Sequence, residues 1–418
     1  MKSKTLKYIS CFFGLIFVFV SLMTLVYAIP NSMLIERQEN AMSIMSTEGN
    51  YPKYFFGTPA AQLDNYTDKL MLDKAIIDDE TMNPLEAAMD IDGYASYWHG
   101  YQIFLRPLLT VFSYYQIRYI YMFVFFILLC ITFSVMHKKA GLPTALAFLA
   151  AMLSLYIILI AVSMQFISVF IIMFIACLYL LNSSQKSDIF HITLTFMIIG
   201  MTTSFFDLLT APLLTWGIPL LLCLFLKMQH SGKESWLEYV KTAFWCSVSW
   251  VSGYGLCWLS KWVISSVVLK ENIMKEALDS ILFRTMGDEE YSINRPETIK
   301  DNFEYLFKSQ GNRIFIFWIA AIVILAILLF FFHKAESKRL LGHAWLFLPI
   351  SLFPYVWYFV LSNHSGIHSW FTYRIQAITI FGIFLFFIYL IDWKKCKSFF
   401  FTCFGRGKKC NERIASKK

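Results

Sequence analysis

The chain has 418 residues, 58% hydrophobic, 18% aromatic and only 15% charged, with 36 Lys and Arg against 28 Asp and Glu. Soluble domains carry about a quarter charged residues, so this composition excludes a water-soluble enzyme and points to an all-α integral membrane bundle. Ten apolar stretches, at about 8–28, 117–136, 142–161, 164–182, 189–205, 211–227, 242–260, 314–332, 343–361 and 372–391, have the length a helix needs to cross roughly 30 Å of hydrocarbon. Backbone groups cannot be left unpaired in lipid, so helices are the expected form of each. The turn at 205–211 is short enough to be a broken or re-entrant segment. The first stretch follows Lys2, Lys4 and Lys7 and ends near Val26-Tyr27-Ala28, which resembles a cleavage site. Its apolar run is long for a signal peptide and Pro30 follows closely, so an uncleaved anchor is expected.

Charge orients the bundle. With the N-terminus inside, the inner segments (the N-terminal tip, 137–140, 182–188, 226–241, 333–343 and the tail 392–418) carry 21 of the 36 basic residues and 6 of the 28 acidic ones. Excess Lys and Arg mark the cytoplasmic side, so both termini are expected in the cytoplasm of what is read as a bacterial plasma membrane. The basic tail, with Lys394, Lys395, Lys397, Arg406, Lys408 and Lys409, then faces anionic headgroups, and no nucleic acid is expected as a partner. Cys11, Cys130, Cys177, Cys223, Cys246 and Cys257 fall in spans and Cys396, Cys403 and Cys410 in the tail. No cysteine falls in an outer loop, so no disulfide framework is expected there.

The chain reads as one membrane domain, residues 1–418, with two large outer loops at 29–116 and 261–313. Both exceed what a connector needs. An amphipathic helix is predicted over 31–47, with Met33, Leu34, Ala41 and Ile44 on one face, and another carrying Ile273, Ala277, Leu278, Ile281 and Leu282. The stretch 94–115 is rich in Tyr, Trp and Phe, as at a membrane interface.

Four outer segments carry the candidate chemistry. In Leu63-Asp64-Asn65-Tyr66-Thr67-Asp68-Lys69, a helix puts Asp64 and Asp68 on one face; a solvated acidic face is the plain alternative. In Tyr97-Trp98-His99-Gly100-Tyr101, Arg106 and nearby Arg118, basic groups sit among aromatics, either for binding or for snorkelling. Asp207, between Phe205-Phe206 and Leu208-Leu209, needs a partner so near the bilayer, catalytic or structural. In Asn363-His364-Ser365-Gly366-Ile367-His368, followed by Tyr373 and Arg374, two histidines and an arginine mark the mouth of the last span. Asn65-Tyr66-Thr67 and Asn363-His364-Ser365 match glycosylation sequons and are taken as chance. Carboxylates, imidazoles and guanidiniums under amphipathic loops suit a lipid-linked anionic substrate, with cations on a phosphate and a carboxylate as base on an acceptor hydroxyl. A divalent cation, Mg2+ or Mn2+, is a candidate cofactor. Soluble-enzyme signatures are absent from the sequence: there is no P-loop, no G-x-G-x-x-G after a strand and no G-x-S-x-G.

This layout resembles the GT-C class of membrane glycosyltransferases. The segments LDNYTDKLML from Leu63, YWHGYQIFLRPLL from Tyr97 and NHSGIHSWFTYR from Asn363 look like recurring segments of bacterial multi-span proteins near that class. The resemblance implies a lipid-phosphate-linked sugar donor and a glycan acceptor, with Asp64 or Asp68 in the acidic role. It makes Arg106, Arg118 and Arg374 candidate phosphate ligands, with His99, Asp207, His364, His368 and Tyr373 in the substrate site. The pattern departs from that class in two respects: the acidic pair lies well beyond the first span, and the one D-x-D is Asp90-Ile91-Asp92. Two other readings compete. One is a polysaccharide polymerase or ligase using diphosphate-linked oligosaccharides. The other is a lipid-linked glycan transporter or flippase, which inverted repeats and mid-membrane charges would favour.

Overall fold

The structure, a computed structural model, describes residues 2–399 except 56, 184–187, 232–234, 308–311 and 333–336. Arg406, Lys408, Lys409, Cys403 and Cys410 of the basic tail lie outside the described residues. The described chain is all-α, with two isolated bridges and no β-strand. Among the described residues, seven of the ten stretches expected to span are helices long and apolar enough to cross a membrane: Ser3–Tyr27, Tyr114–Ala140, Met164–Ser183, Ile189–Phe206, Leu213–His230, Lys338–Val360 and Ser369–Leu390. The chain is a membrane helix bundle. Leu213–His230 forms its centre, buried over 83% of its apolar stretch, whereas Ser3–Tyr27 and Tyr114–Ala140 are buried over 22% and lie at the periphery.

The remaining three stretches depart from one continuous apolar span each. The stretch at 142–161 divides into Leu142–Leu153 and Ile157–Val162, because Tyr156 takes a left-handed backbone (φ 53°) between them. The stretch at 314–332 forms the helix Asn312–Leu329. The stretch at 242–260 belongs to a longer helix, Trp236–Leu269. Thr242, Gly253, Lys261 and Ser265 point inward, while Phe244, Trp245, Val251, Leu256 and Val267 stay exposed.

That helix also moves the start of the second large loop from the expected Lys261 to Lys270, which closes the helix in a left-handed conformation. Lys261 does not end the helix because its charge is satisfied sideways. Its Nζ donates to Met89 O at 2.8 Å and to Ala88 O at 3.3 Å, at the C-terminal end of the helix Pro84–Asp90, where carbonyls favour a cation. The first loop is stapled to the same helix by three indole N–H groups. Trp98 donates to Cys257 O, and Trp258 and Trp262 both donate to Ser96 O. The aromatics of 94–115 are therefore largely packed inside, with Tyr97, Trp98, Tyr101 and Tyr114 buried, and not spread along an interface.

Both predicted loop helices form, with adjusted faces. The first is Ile35–Glu48 after a 3-10 turn at Asn31–Met33; Leu34, Ala41 and Met45 are buried and Met33 is exposed. The second is Ile273–Met286, buried at Ile273 and Ala277 but exposed at Leu278 and Leu282. The seven described cysteines are free.

Candidate functional site

The acidic pair of the first loop is divided between two tasks. Asp64 does not sit on the helix but caps it: its φ and ψ are −110° and 71°, and Asn65–Asp73 starts after it. Its Oδ1 accepts from Thr67 N at 2.9 Å and its Oδ2 from Thr67 Oγ1 at 3.0 Å. Burial raises its pKa, opposed by the Thr67 bonds and the charge of Arg374. Asp68 turns the other way and accepts from Met164 N at 3.1 Å and Gln165 N at 3.0 Å, at the start of the helix Met164–Ser183. Carboxylates are the natural filling for such unpaired N–H groups, and here burial outweighs the bonds and pushes Asp68 up to about 7.

Asp64 lines a cavity of about 590 Å3, within the roughly 300–1,000 Å3 of small-molecule sites. The first loop, Leu208 of the 207–210 turn, the helix Ile273–Met286 and the segment 364–371 all contribute to it. Three of the predicted imidazoles line it: His99, His364 and His368. His364 Nε2 meets Leu209 O at 2.9 Å, which fixes that nitrogen as the protonated one. The His364 and His368 rings stand edge to face at 5.0 Å, and His368 stacks on Phe371. His99 Nδ1 meets the Tyr101 hydroxyl at 2.9 Å. Burial lowers all three, His99 to about 3 with Lys261 and Lys74 adding to the effect, and His368 to about 4 with Arg284 adding to it. The imidazoles are therefore neutral at pH 7.

Sequence reasoning missed several cavity residues: Lys74, Tyr94, Glu276, Asp279 and Arg284. The signal for the last three was present. On the helix Ile273–Met286 the residues 276, 279, 280, 283 and 284 recur at helical spacing along a face that borders the one carrying Ile273 and Ala277.

Other predicted residues hold the frame and lie outside the cavity lining. Arg106 is fully buried, stacks on Tyr27 and donates to the carbonyls of Val26, Ile29 and Ala75, gathering the end of the first helix and the first loop. Arg118 donates to both Glu48 carboxylate oxygens at 2.9 Å and to Asn65 Oδ1 at 3.0 Å. Asp207 accepts from Thr210 N at 3.0 Å in the turn after Ile189–Phe206, and burial pushes it up to about 7. Tyr373 donates to Ala60 O. Arg374 lies over the Phe166 ring at 4.2 Å and donates to Trp370 O, while its Nε and Nη2 are buried with no hydrogen-bond partner. Both sequon asparagines are buried, Asn65 on Glu48 and Gly49 and Asn363 on Phe283 O.

The D-x-D is structural. Asp90 Oδ2 accepts from Gly93 N, and Asp92 holds Lys74 Nζ through its carboxylate and its own carbonyl, each at 2.7 Å. Asp92, His99 and Leu209 all have left-handed backbones, with φ of 52°, 50° and 65°. Each is tied to a cavity residue: Asp92 to Lys74, Leu209 to His364, and His99 is one itself. Strain of this kind costs on the order of 1–3 kcal/mol per residue and persists where the surroundings over-determine it, commonly at functional sites.

A second, apolar groove of about 180 Å3 adjoins the first cavity. Met71 and Tyr101 line both, and Phe104, Ile171, Ile175 and Phe206 continue the groove along the helices Met164–Ser183 and Ile189–Phe206. Among the described residues no three His, Cys, Asp or Glu side chains converge as a metal site; the cations facing the cavity are Lys74 and Arg284. The chain matches no family model, no curated protein and no solved structure.

Proposed function

We propose that the chain is a membrane glycosyltransferase that moves a sugar from a polyprenyl-phosphate donor to an outer-leaflet or cell-wall glycan acceptor. One observation carries this reading: a polar cavity with a buried carboxylate and an open guanidinium shares two wall residues, Met71 and Tyr101, with an apolar groove on the flank of the helices. That combination fits a molecule with an anionic, hydroxyl-rich head and a hydrocarbon chain. The charge asymmetry of the loops supports cytoplasmic termini and an outward-facing cavity in a bacterial plasma membrane. The resemblance of three loop segments to the GT-C class agrees with it.

Asp64 takes the role of base in this reading, since it lines the cavity, whereas Asp68 lies outside the lining and is turned onto the start of Met164–Ser183. It accepts the proton of an acceptor hydroxyl as that oxygen bonds to the anomeric carbon. The bond from that carbon to the phosphate oxygen breaks, its electron pair leaves with the polyprenyl phosphate, and the configuration inverts. A carboxylate pKa raised by burial suits a general base. The test is a glycan profile of the cell envelope in strains carrying Asp64→Asn or Asp68→Asn, with protein levels measured. Asp64→Asn at normal abundance is expected to remove a glycan modification. An unchanged profile in that strain eliminates the role of Asp64, and an unchanged profile in a deletion strain eliminates the function.

A further inference from the structure

We infer that Arg374 is a positioning residue: set behind the cavity wall, it serves the Asp64 carboxylate as counter-ion and does not itself meet the ligand. This rests on the reading of Asp64 as the base, and it gives Arg374 a different part from the phosphate ligand that the resemblance implied. Arg374 is 1% exposed and is not among the residues lining the cavity. Its guanidinium lies 4.2 Å from the centroid of the Phe166 ring and 5.1 Å from that of Tyr373. Nη1 donates to Trp370 O at 3.1 Å, while Nε and Nη2 are buried with no hydrogen-bond partner. An arginine cannot shed its proton, so one this deeply buried needs a negative charge near it.

That charge is Asp64. Two contacts hold their segments together. The Tyr373 hydroxyl donates to Ala60 O at 3.1 Å, just ahead of Asp64 in the chain. Trp370, whose carbonyl takes the Arg374 bond, sets its ring edge-on against Tyr51 at 5.5 Å, and Tyr51 lines the cavity together with Asp64. Asp64 is itself 2% exposed, and its oxygens accept from Thr67 N and Oγ1. The attraction to Arg374 therefore acts through space, in a dry wall where a charge reaches farther than in water. Burial pushes the Asp64 carboxyl up, and the Thr67 bonds and the Arg374 charge pull it down. Other groups that titrate or carry charge face this region: Tyr66 and Asp68 from the helix Asn65–Asp73, Tyr51, and Lys74, Glu276, Asp279, Arg284 and the three imidazoles of the lining. Among the described residues, Arg374 is the charge that offsets the burial of Asp64. Lys74 and Arg284 are left to face the ligand. Arg374 thus favours the ionised Asp64, the form that can accept a proton.

The test uses the full chain in lipid nanodiscs and dicyclohexylcarbodiimide, which adds to protonated carboxyl groups in apolar surroundings and spares carboxylates. Adduct formation at Asp64 is followed by peptide mass spectrometry across pH for wild type, Arg374→Gln and Arg374→Lys, with thermal unfolding as the control for folding. Arg374→Gln is expected to raise the midpoint of Asp64 labelling by about one pH unit, and Arg374→Lys to bring most of that back. Asp207, whose partner Thr210 lies in its own turn, is expected to keep its midpoint. An unmoved Asp64, or an equal shift at Asp207, overturns the inference. Should Arg374→Gln not fold, its combination with Asp64→Asn is expected to fold, because both charges then leave together; a double variant that stays unfolded overturns the inference as well. In cells, the Arg374→Gln strain is expected to lose the Asp64-dependent glycan in acidic medium and to regain it in mildly alkaline medium. A shifted Asp64 midpoint with a glycan that survives Asp64→Asn keeps the counter-ion and overturns the reading of Asp64 as base. A glycan that needs Asp64 while its midpoint ignores Arg374 keeps that reading and overturns the part given to Arg374.

Discussion

Asp68 and Asp207 are buried carboxylates that hold chain breaks together, and both are raised to about 7 by desolvation. In the unfolded chain each titrates near the ordinary aspartate value of about 4. Between those values the folded state binds more protons than the unfolded one, so stability falls as pH rises through that window. Thermal unfolding in detergent is expected to show a lower midpoint at pH 8 than at pH 5, and Asp68→Asn or Asp207→Asn to flatten the difference. Arg106 works differently, as one guanidinium satisfying three carbonyls. Each buried carbonyl left unpaired costs about 1–3 kcal/mol. Arg106→Ala should therefore lower the unfolding midpoint strongly and open the first loop to limited proteolysis, and an unchanged cleavage pattern would refute its keystone role. These roles were not legible in the sequence. Asp64 and Asp68 are chemically alike and four residues apart, and their partners distinguish them, Thr67 for Asp64 and the Met164 and Gln165 amides for Asp68.

The helices Ile189–Phe206 and Trp236–Leu269 approach each other through reciprocal glycines. A Cβ on Gly200 would collide with Trp250 O, and one on Gly253 with Met197 O. Both obstacles are backbone, which cannot rotate away, so the helices would have to separate. Gly253→Ala is expected to destabilise by at least the roughly 1–3 kcal/mol of an overpacked core, and Gly255→Ala, whose Cβ meets open space, to be mild by comparison in the same unfolding assay. Apolar length made most helices legible because lipid imposes it. Trp236–Leu269 was read only over its middle, 242–260, because Glu238, Lys241 and Lys261 interrupt the apolar run on either side. The break at Tyr156 had no signal, as neither glycine nor proline marks that left-handed residue.

Residues 300 positions apart meet at one end of the bundle, where Asp64, His99, His364 and His368 share a cavity. Their chemistry was visible as isolated polar islands in apolar sequence, and their common side followed from alternating spans. Which ones meet was not visible, because loop packing decides it: Arg118 folded onto Glu48 and left the site, while Arg284 entered it. The groove allows a separate test, since Ser168 lines it and not the polar cavity. Ser168→Trp should fill the groove and abolish binding of farnesyl-tailed ligands in nanodiscs while leaving the unfolding midpoint near wild type.

Phe104 and Ile175, both on the wall of that groove, are more than half exposed, so it opens sideways toward the surrounding lipid. On the proposed reading such a slot is never vacant in a bilayer, because ordinary acyl chains fill it whenever the isoprenoid is away. Occupancy is then an exchange between neighbours in a two-dimensional solvent. Half-saturation should follow the mole fraction of the isoprenoid among all lipids, staying constant when protein and vesicles are diluted together and rising when inert lipid is added.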